Sequence, residues 1–457
     1  MAEVKKSALE PYVDKVSDKP LAVIPESKVK VTATKQIKEL GLTEWTLSNG
    51  IRVLLKPTDF KNDEIRFAAV SPGGNSLVAK EDYLSASLAA TIVSSCGLGE
   101  FTPTDLQKTL TGKVATVRPF ISDLSEGFSG SAAPKDVETM FQLLYLSFTQ
   151  PRKDTAMFSS FLSRMNAMLE NMGARPESVL SDTMTVTMAQ YHPLRKPLNI
   201  KRLAEVNLDA AMRAYLNRFA DAGDFTFVFV GNFALDSFKP LVEKYLGALP
   251  VTGRKETWRD LGVRSPEGRI EKVVKKGIEN KAMVMLVFTG PFEWNRQNRY
   301  DLSSLGELMQ IKLREAVREE KGGTYGVGVG ATAVRYPLSE YRITINFGCD
   351  PARVDELVTT TVDELSKILK NGAGEEDLKK IKEIQVRERE KNLKENNFWL
   401  TRLQAAITNN DDPTDLLAFD SMVGALTSDA LKKMADTALR FDSMKKFVLM
   451  PEDNATK

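Results

Sequence analysis

Histidine is nearly missing from this chain: His192 is the only one among 457 residues. Every metal site that needs two histidines is thereby excluded, including the H-E-x-x-H zinc helix and its inverted form. His192 lies in QYHPLRKP, beside a proline and ahead of Arg195 and Lys196. No carboxylate or nucleophile stands next to it, so a surface or hydrogen-bonding role is expected rather than catalysis. Cysteine is almost as scarce. Cys96 and Cys349 are far apart and neither has a second cysteine nearby, which points to buried free thiols and not to a disulfide framework. No apolar run approaches the length of a membrane span. The first residues, MAEVKKSALEPYVDKV, lack the apolar core of a secretion signal. The formal net charge of +2 gives no electrostatic reason to expect nucleic acid or an acidic membrane surface as partner.

What is present divides into parts. A chain of 457 residues is too long for one hydrophobic core. Residues 1–40 are Lys-rich and Pro-punctuated, without extended periodicity, and read as a linker or extended arm. Residues 41–250 form a first module. Asn49-Gly50 sets a hairpin between two strands; Glu64 to Val70 is a third strand ending at Pro72-Gly73-Gly74. Tyr83 to Ser95 is a helix of small and apolar residues. Thr102 caps a short polar helix to Leu110. Two strands follow within 115–130, then helices at about 134–149, 154–172, 176–190 and 207–220. FTFVFV at 225–230 is a buried central strand, and Asp236 to Leu246 a closing helix. Residues 251–268 are polar, with Gly and Pro, and form the connector. Residues 269–457 form a second module with the same plan. Its charged helix from Glu375 to Leu393 is mostly a solvated face, and Trp399 belongs to a core.

The plan repeats in detail. GSAAPKDVE at 130–138 resembles GCDPARVDE at 348–356: strand, small residue, Pro, then a helix with Val and an acidic neighbour. The expected fold class is α+β, with two homologous modules, each a mainly antiparallel sheet with helices packed on one face.

The stretch LREAVREEKGGTYGVGVG at 313–330 carries the most chemistry. Leu305, Met309, Leu313 and Val317 make one apolar helix face. Gly322 and Gly323 stop the helix. Thr324 to Val329 reads as a strand with close backbone approach on one side. Arg318 and Tyr325, seven residues apart, would then lie at one end of the sheet, where a guanidinium fork and a phenol can hold a peptide carbonyl or an oxyanion. The other local reading is a helix-end ion pair and a half-buried strand tyrosine.

Residues LSNGIRVLLKP at 47–57, SPGGNSL at 71–77, FVGNFALDSFKPLVEKYLGALP at 229–250 and LREAVREEKGGTYGVGV at 313–329 resemble the M16 family of zinc peptidases, the pitrilysin, insulin-degrading enzyme and mitochondrial processing peptidase group. The resemblance covers roughly residues 40–450. It implies two halves of two modules each, closing as a clamshell around an unfolded peptide. A catalytic half of this family carries H-x-x-E-H on the helix after the glycine turn. The corresponding helix here, Tyr83 to Ser95, has no histidine and no acidic residue, so zinc ligands and general base are missing together. The chain therefore resembles the non-catalytic half, with no metal ligand and no cofactor of its own. The resemblance places zinc in a partner half, either a separate subunit or the upstream part of a longer polypeptide. It gives Arg318 and Tyr325 the task of reaching the substrate bound there. A non-catalytic scaffold or assembly protein of the same fold is the alternative function. The bacterial periplasm or cytoplasm is the compartment that fits.

Overall fold

The computed structural model describes residues 20–453 apart from 321, 323 and 325. The first part of the chain contributes strands Val31–Ile37 (β1), Leu42–Leu47 (β2), Arg52–Pro57 (β3), Ile65–Pro72 (β4), Ala115–Ile121 (β5), Ser125–Ala132 (β6) and Thr226–Gly231 (β7). Its helices are Tyr83–Ser87 (α1), Ala89–Cys96 (α2), Pro103–Thr109 (α3), Val137–Thr149 (α4), Thr155–Ala174 (α5), Pro176–Met188 (α6), Ile200–Leu203 (α7), Leu208–Arg218 (α8) and Leu235–Tyr245 (α9). The second part contributes strands Ile270–Lys275 (β8), Ala282–Pro291 (β9), Val327–Val334 (β10), Glu340–Cys349 (β11) and Lys445–Met450 (β12). Its helices are Arg296–Leu313 (α10), Val354–Asn371 (α11), Glu375–Asn392 (α12), Asn396–Asn409 (α13), Phe419–Ala425 (α14) and Ser428–Ala438 (α15), with a π-helical turn at Arg314–Glu320 after α10.

The two sheets share one topology. The first runs β1-β2-β3-β7-β4-β6-β5 and the second β10-β11-β9-β12-β8. Read from the other edge, the second sheet is β8-β12-β9-β11-β10, which matches β3-β7-β4-β6-β5 strand for strand. Each contains one parallel pair, β3 with β7 and β8 with β12, in an otherwise antiparallel ladder. The two resembling segments seen in the sequence fall at equivalent places, the β6 to α4 and β11 to α11 joints. FTFVFV is central, as its unbroken apolar run requires: every residue of β7 is buried.

Local signals explain most element ends. Thr102 accepts a hydrogen bond from Asp105 N and caps α3. The expected single helix over 83–95 is two, broken at Leu88. Its first half is pinned sideways: the buried Ser85 hydroxyl accepts from Asn207 N, at the start of α8. Within the expected arm, residues 1–19 lie outside the described residues, and Val31–Ile37 is an edge strand paired with β2. Five of its seven side chains are exposed. An edge strand wetted on both faces needs no apolar alternation, so periodicity gives no sign of it.

Each sheet carries its own helices on one face. The other face is covered by a helix from the opposite module. α13 lies across β4 and β7, seating Trp399, Leu400 and Leu403 against Leu54, Ala68, Val228 and Val230. α6, its counterpart, lies on β12 and β8, bringing Leu180 and Met188 to Val287, Phe447 and Leu449. The buried Asn396 fixes the start of α13, accepting from Thr58 Oγ1 at 2.6 Å and donating to Glu64 Oε2 at 3.0 Å. Lys56 reaches across with its ammonium 3.8 Å from the Trp399 ring centroid. Residues 251–269 form neither helix nor strand. They are strapped down even so: Glu256 pairs with Arg218 at 2.9 Å, and the Trp258 ring packs at a tilt against Tyr336, centroids 5.1 Å apart.

Candidate functional site

α10 sets the geometry of the stretch singled out in the sequence. Leu305, Met309, Leu313 and Val317 are all fully buried, so the expected apolar face is real. Gly306 brings the helix against β10: a Cβ there would lie 2.7 Å from that of Ala331. One turn later Gln310 docks the outer edge of the strand, donating to Val327 O at 2.8 Å and accepting from Val329 N at 2.9 Å. β10 is an edge strand, and these are two of its otherwise unpaired backbone groups. The helix widens into the π-turn over 314–320, with Ala316 and Val317 inward and Arg318 exposed. Gly322 ends it in the left-handed region, its N–H donating to Arg318 O at 3.0 Å. Lys312 bridges Glu315 and Asp377, tying the end of α10 to the start of α12.

β10 begins at Val327, later than the expected Thr324. Thr324 instead turns on itself: its hydroxyl donates to Gly326 O and accepts from Gly326 N. A glycine offers the ladder no side chain to pack, and a threonine hydroxyl competes with it for the backbone. Tyr325 lies outside the described residues. Of the two expected site residues, Arg318 is thus placed on the exposed side of the π-turn.

The helix that would carry zinc ligands offers a different surface. Its exposed positions are Ser87, Thr91 and Ser94. The hydroxyls of Ser87 and Ser94 donate to carbonyls of their own helix. None of these exposed side chains suits Zn²⁺, which takes thiolate, imidazole or carboxylate, and the thiol of Cys96 at the end of α2 is buried. Among the described residues no group of three or more His, Cys, Asp and Glu is placed to hold a metal. Just before this helix, Glu126 is completely buried and accepts from Gly74 N at 2.5 Å. Burial pushes its carboxyl up to about 7, opposed by the Gly74 hydrogen bond and by Arg218. It therefore organises the glycine turn.

Residues 209–385 match the family model of the peptidase M16 inactive domain. The likeness is to the M16 peptidase family. The chain is 27% identical over 408 residues to a zinc protease PQQL-like protein of Arabidopsis thaliana, covering 84% of itself and 39% of that relative. It thus spans about two fifths of the relative's length. In fold it is similar to the periplasmic protease PqqL from Escherichia coli, with a TM-score of 0.83 at 22% identity, over 99% of this chain and 50% of that one. The first half of the same PqqL aligns less closely, with a TM-score of 0.71 at 12% identity. The half of PqqL that this chain follows is therefore the second. No helix among the described residues is long and apolar enough to cross a membrane.

Two features of the chain escape a reading of its sequence. Gln310 carries no motif, and its task exists only once β10 lies beside α10. Arg389 sits in a helix whose charge pattern reads as solvated and Arg402 in the next one, yet they meet in one cleft. Spacing within a single helix cannot signal that meeting.

Proposed function

We propose that this chain is the non-catalytic half of an M16 zinc peptidase and completes a peptide-enclosing chamber with a zinc-bearing half. The observation that carries this reading is the helical segment 83–96, which the resemblance matches to the zinc helix: its exposed side chains are Ser87, Thr91 and Ser94, hydroxyl and methyl groups alone. The match to an M16 inactive domain supports it, as does the coverage of half of a PqqL chain. Zinc and the attacking water belong to the partner half, and unfolded peptide is the substrate. In this proposal Arg318 and Tyr325 extend from the α10–β10 joint into the chamber. Tyr325 donates its hydroxyl to the scissile or adjacent carbonyl, and Arg318 presents a fixed charge to the substrate backbone. Donors aimed at developing charge are each worth roughly 2–4 kcal/mol in rate.

The test is reconstitution with the zinc-bearing half and a fluorogenic peptide. Tyr325→Phe and Arg318→Ala are expected to lower turnover about tenfold or more at unchanged Tm, each tenfold corresponding to about 1.4 kcal/mol. Wild-type turnover in both single variants and in the double variant would remove the two residues from the mechanism and leave a scaffold role.

A further inference from the structure

The second module contains a cleft of about 300 Å³ bounded by α10, α12, α13 and α14. Its size is at the lower end of the range for small-ligand sites. Two guanidiniums project into it. Arg389 donates to Leu416 O at 2.7 Å and lies between two rings, 5.3 Å from Phe398 and 5.0 Å from Phe419. Arg402, from the next helix, stands 5.5 Å from the same Phe398. Arg402 is exposed as a residue, but its head lies in the cleft.

Among the described residues neither arginine has a carboxylate within ion-pair distance. The acids at the mouth are committed elsewhere. Asp411 takes Arg299 at 3.0 Å, Arg335 at 3.3 Å and the Trp294 Nε1–H at 3.1 Å. Asp415 takes Arg296 at 3.1 Å. Asp412 accepts from the Thr414 N–H and hydroxyl. Asp420 acts on Arg389 only at longer range. Burial holds both guanidiniums below their ordinary range, and Arg299 adds to this for Arg402. Two cations partly withdrawn from water without a counter-ion are costly unless an anion joins them. The flat fork of each suits a carboxylate.

The other end of the cleft defines the rest of the ligand. There Gln385 accepts from Tyr300 OH and donates to Ser304 and Glu307, so the polar groups are already satisfied. Glu388 puts a charge at that end, felt by the Glu307 carboxyl beside it, and would repel a second carboxylate. Between the two ends the wall is apolar, with Phe398, Phe419, Leu416 and Met422.

We propose that this cleft binds the free C-terminal end of a short peptide, its carboxylate on Arg389 and Arg402 and its apolar last side chain against Phe398 and Phe419. The site lies wholly within the second module and needs neither zinc nor a partner half, so it stands or falls separately from the peptidase reading.

Calorimetric titration of the intact chain with Ala-Ala-Phe, its C-terminal amide and free phenylalanine tests this. One site per chain is expected for the acid, with the amide at least about tenfold weaker and free phenylalanine weaker than the tripeptide. Arg402→Gln, a change at an exposed residue without an ion pair, should keep the Tm and lose the difference between acid and amide. Ala405→Trp should block the cleft with both arginines in place. No heat with millimolar tripeptide, equal binding of acid and amide, or wild-type binding by both variants would overturn the site. Tighter binding of free phenylalanine would overturn the peptide-end assignment.

Discussion

Burial pushes the Glu307 carboxyl up to about 7, and the neighbouring Glu388 charge acts in the same direction, opposed by the hydrogen bond from Gln385. The folded state therefore favours the neutral acid. The ordinary pKa of 4.5 lies below the folded value, so folding takes up a proton between these two pH values. The contribution of Glu307 to stability is greatest below about pH 4.5, falls as pH rises towards 7, and is flat above that. Glu307→Gln keeps the acceptor for Gln385 and removes the charge. At pH 8 the variant should melt higher than wild type, by roughly 1 °C for about 1 kcal/mol. The gap should close as pH falls to 5. A constant gap across this range in paired melting curves would show that the carboxyl does not titrate in the folded chain.

At the scale of elements, the α10–β10 pair is held by one carboxamide and one missing side chain. Gln310 satisfies a carbonyl and an N–H of an edge strand, and Gly306 admits the strand to the helix surface. Gln310→Ala should destabilise by about 1–3 kcal/mol, the cost of leaving such groups unsatisfied. The loss should be local. Hydrogen exchange at the Val329 amide should accelerate, while Val228 in β7 keeps its protection. Equal acceleration at both sites would mean that β10 opens only with the whole molecule. Under the proposed function the joint matters, because Arg318 and Tyr325 lie on the segment between these two elements.

At the scale of the molecule, the exchange of α6 and α13 makes each sheet depend on the other module. Trp399 is the largest side chain in the α13 contact and is buried. Trp399→Ala should cost about 3–5 kcal/mol, as truncation of a large buried side chain does. Wild type should unfold in one calorimetric transition, because neither sheet can cover its second face alone. The variant should melt lower and split into two transitions. A wild-type chain that already unfolds in two separate steps would show that the exchanged helices do not couple the modules.

The sequence by itself determined most of the elements, the duplication and the lack of histidine and acidic residues over 83–95. These depend on local chemistry: apolar periodicity, caps, glycine stops and the mere presence of ligand atoms, all of which are properties of neighbours along the chain. It placed Trp399 in a core but could not name the core, because the partner strands β4 and β7 lie more than 160 residues away. It missed β1 for the opposite reason, since an edge strand with wet faces is held by backbone pairing and leaves little mark on side-chain pattern. Only tertiary structure decided that α6 and α13 are exchanged, that Gln310 seals the edge of β10, and that Arg389 and Arg402 share a cleft. Each of these depends on groups from separate elements converging, and burial and unpaired charge are properties of that convergence.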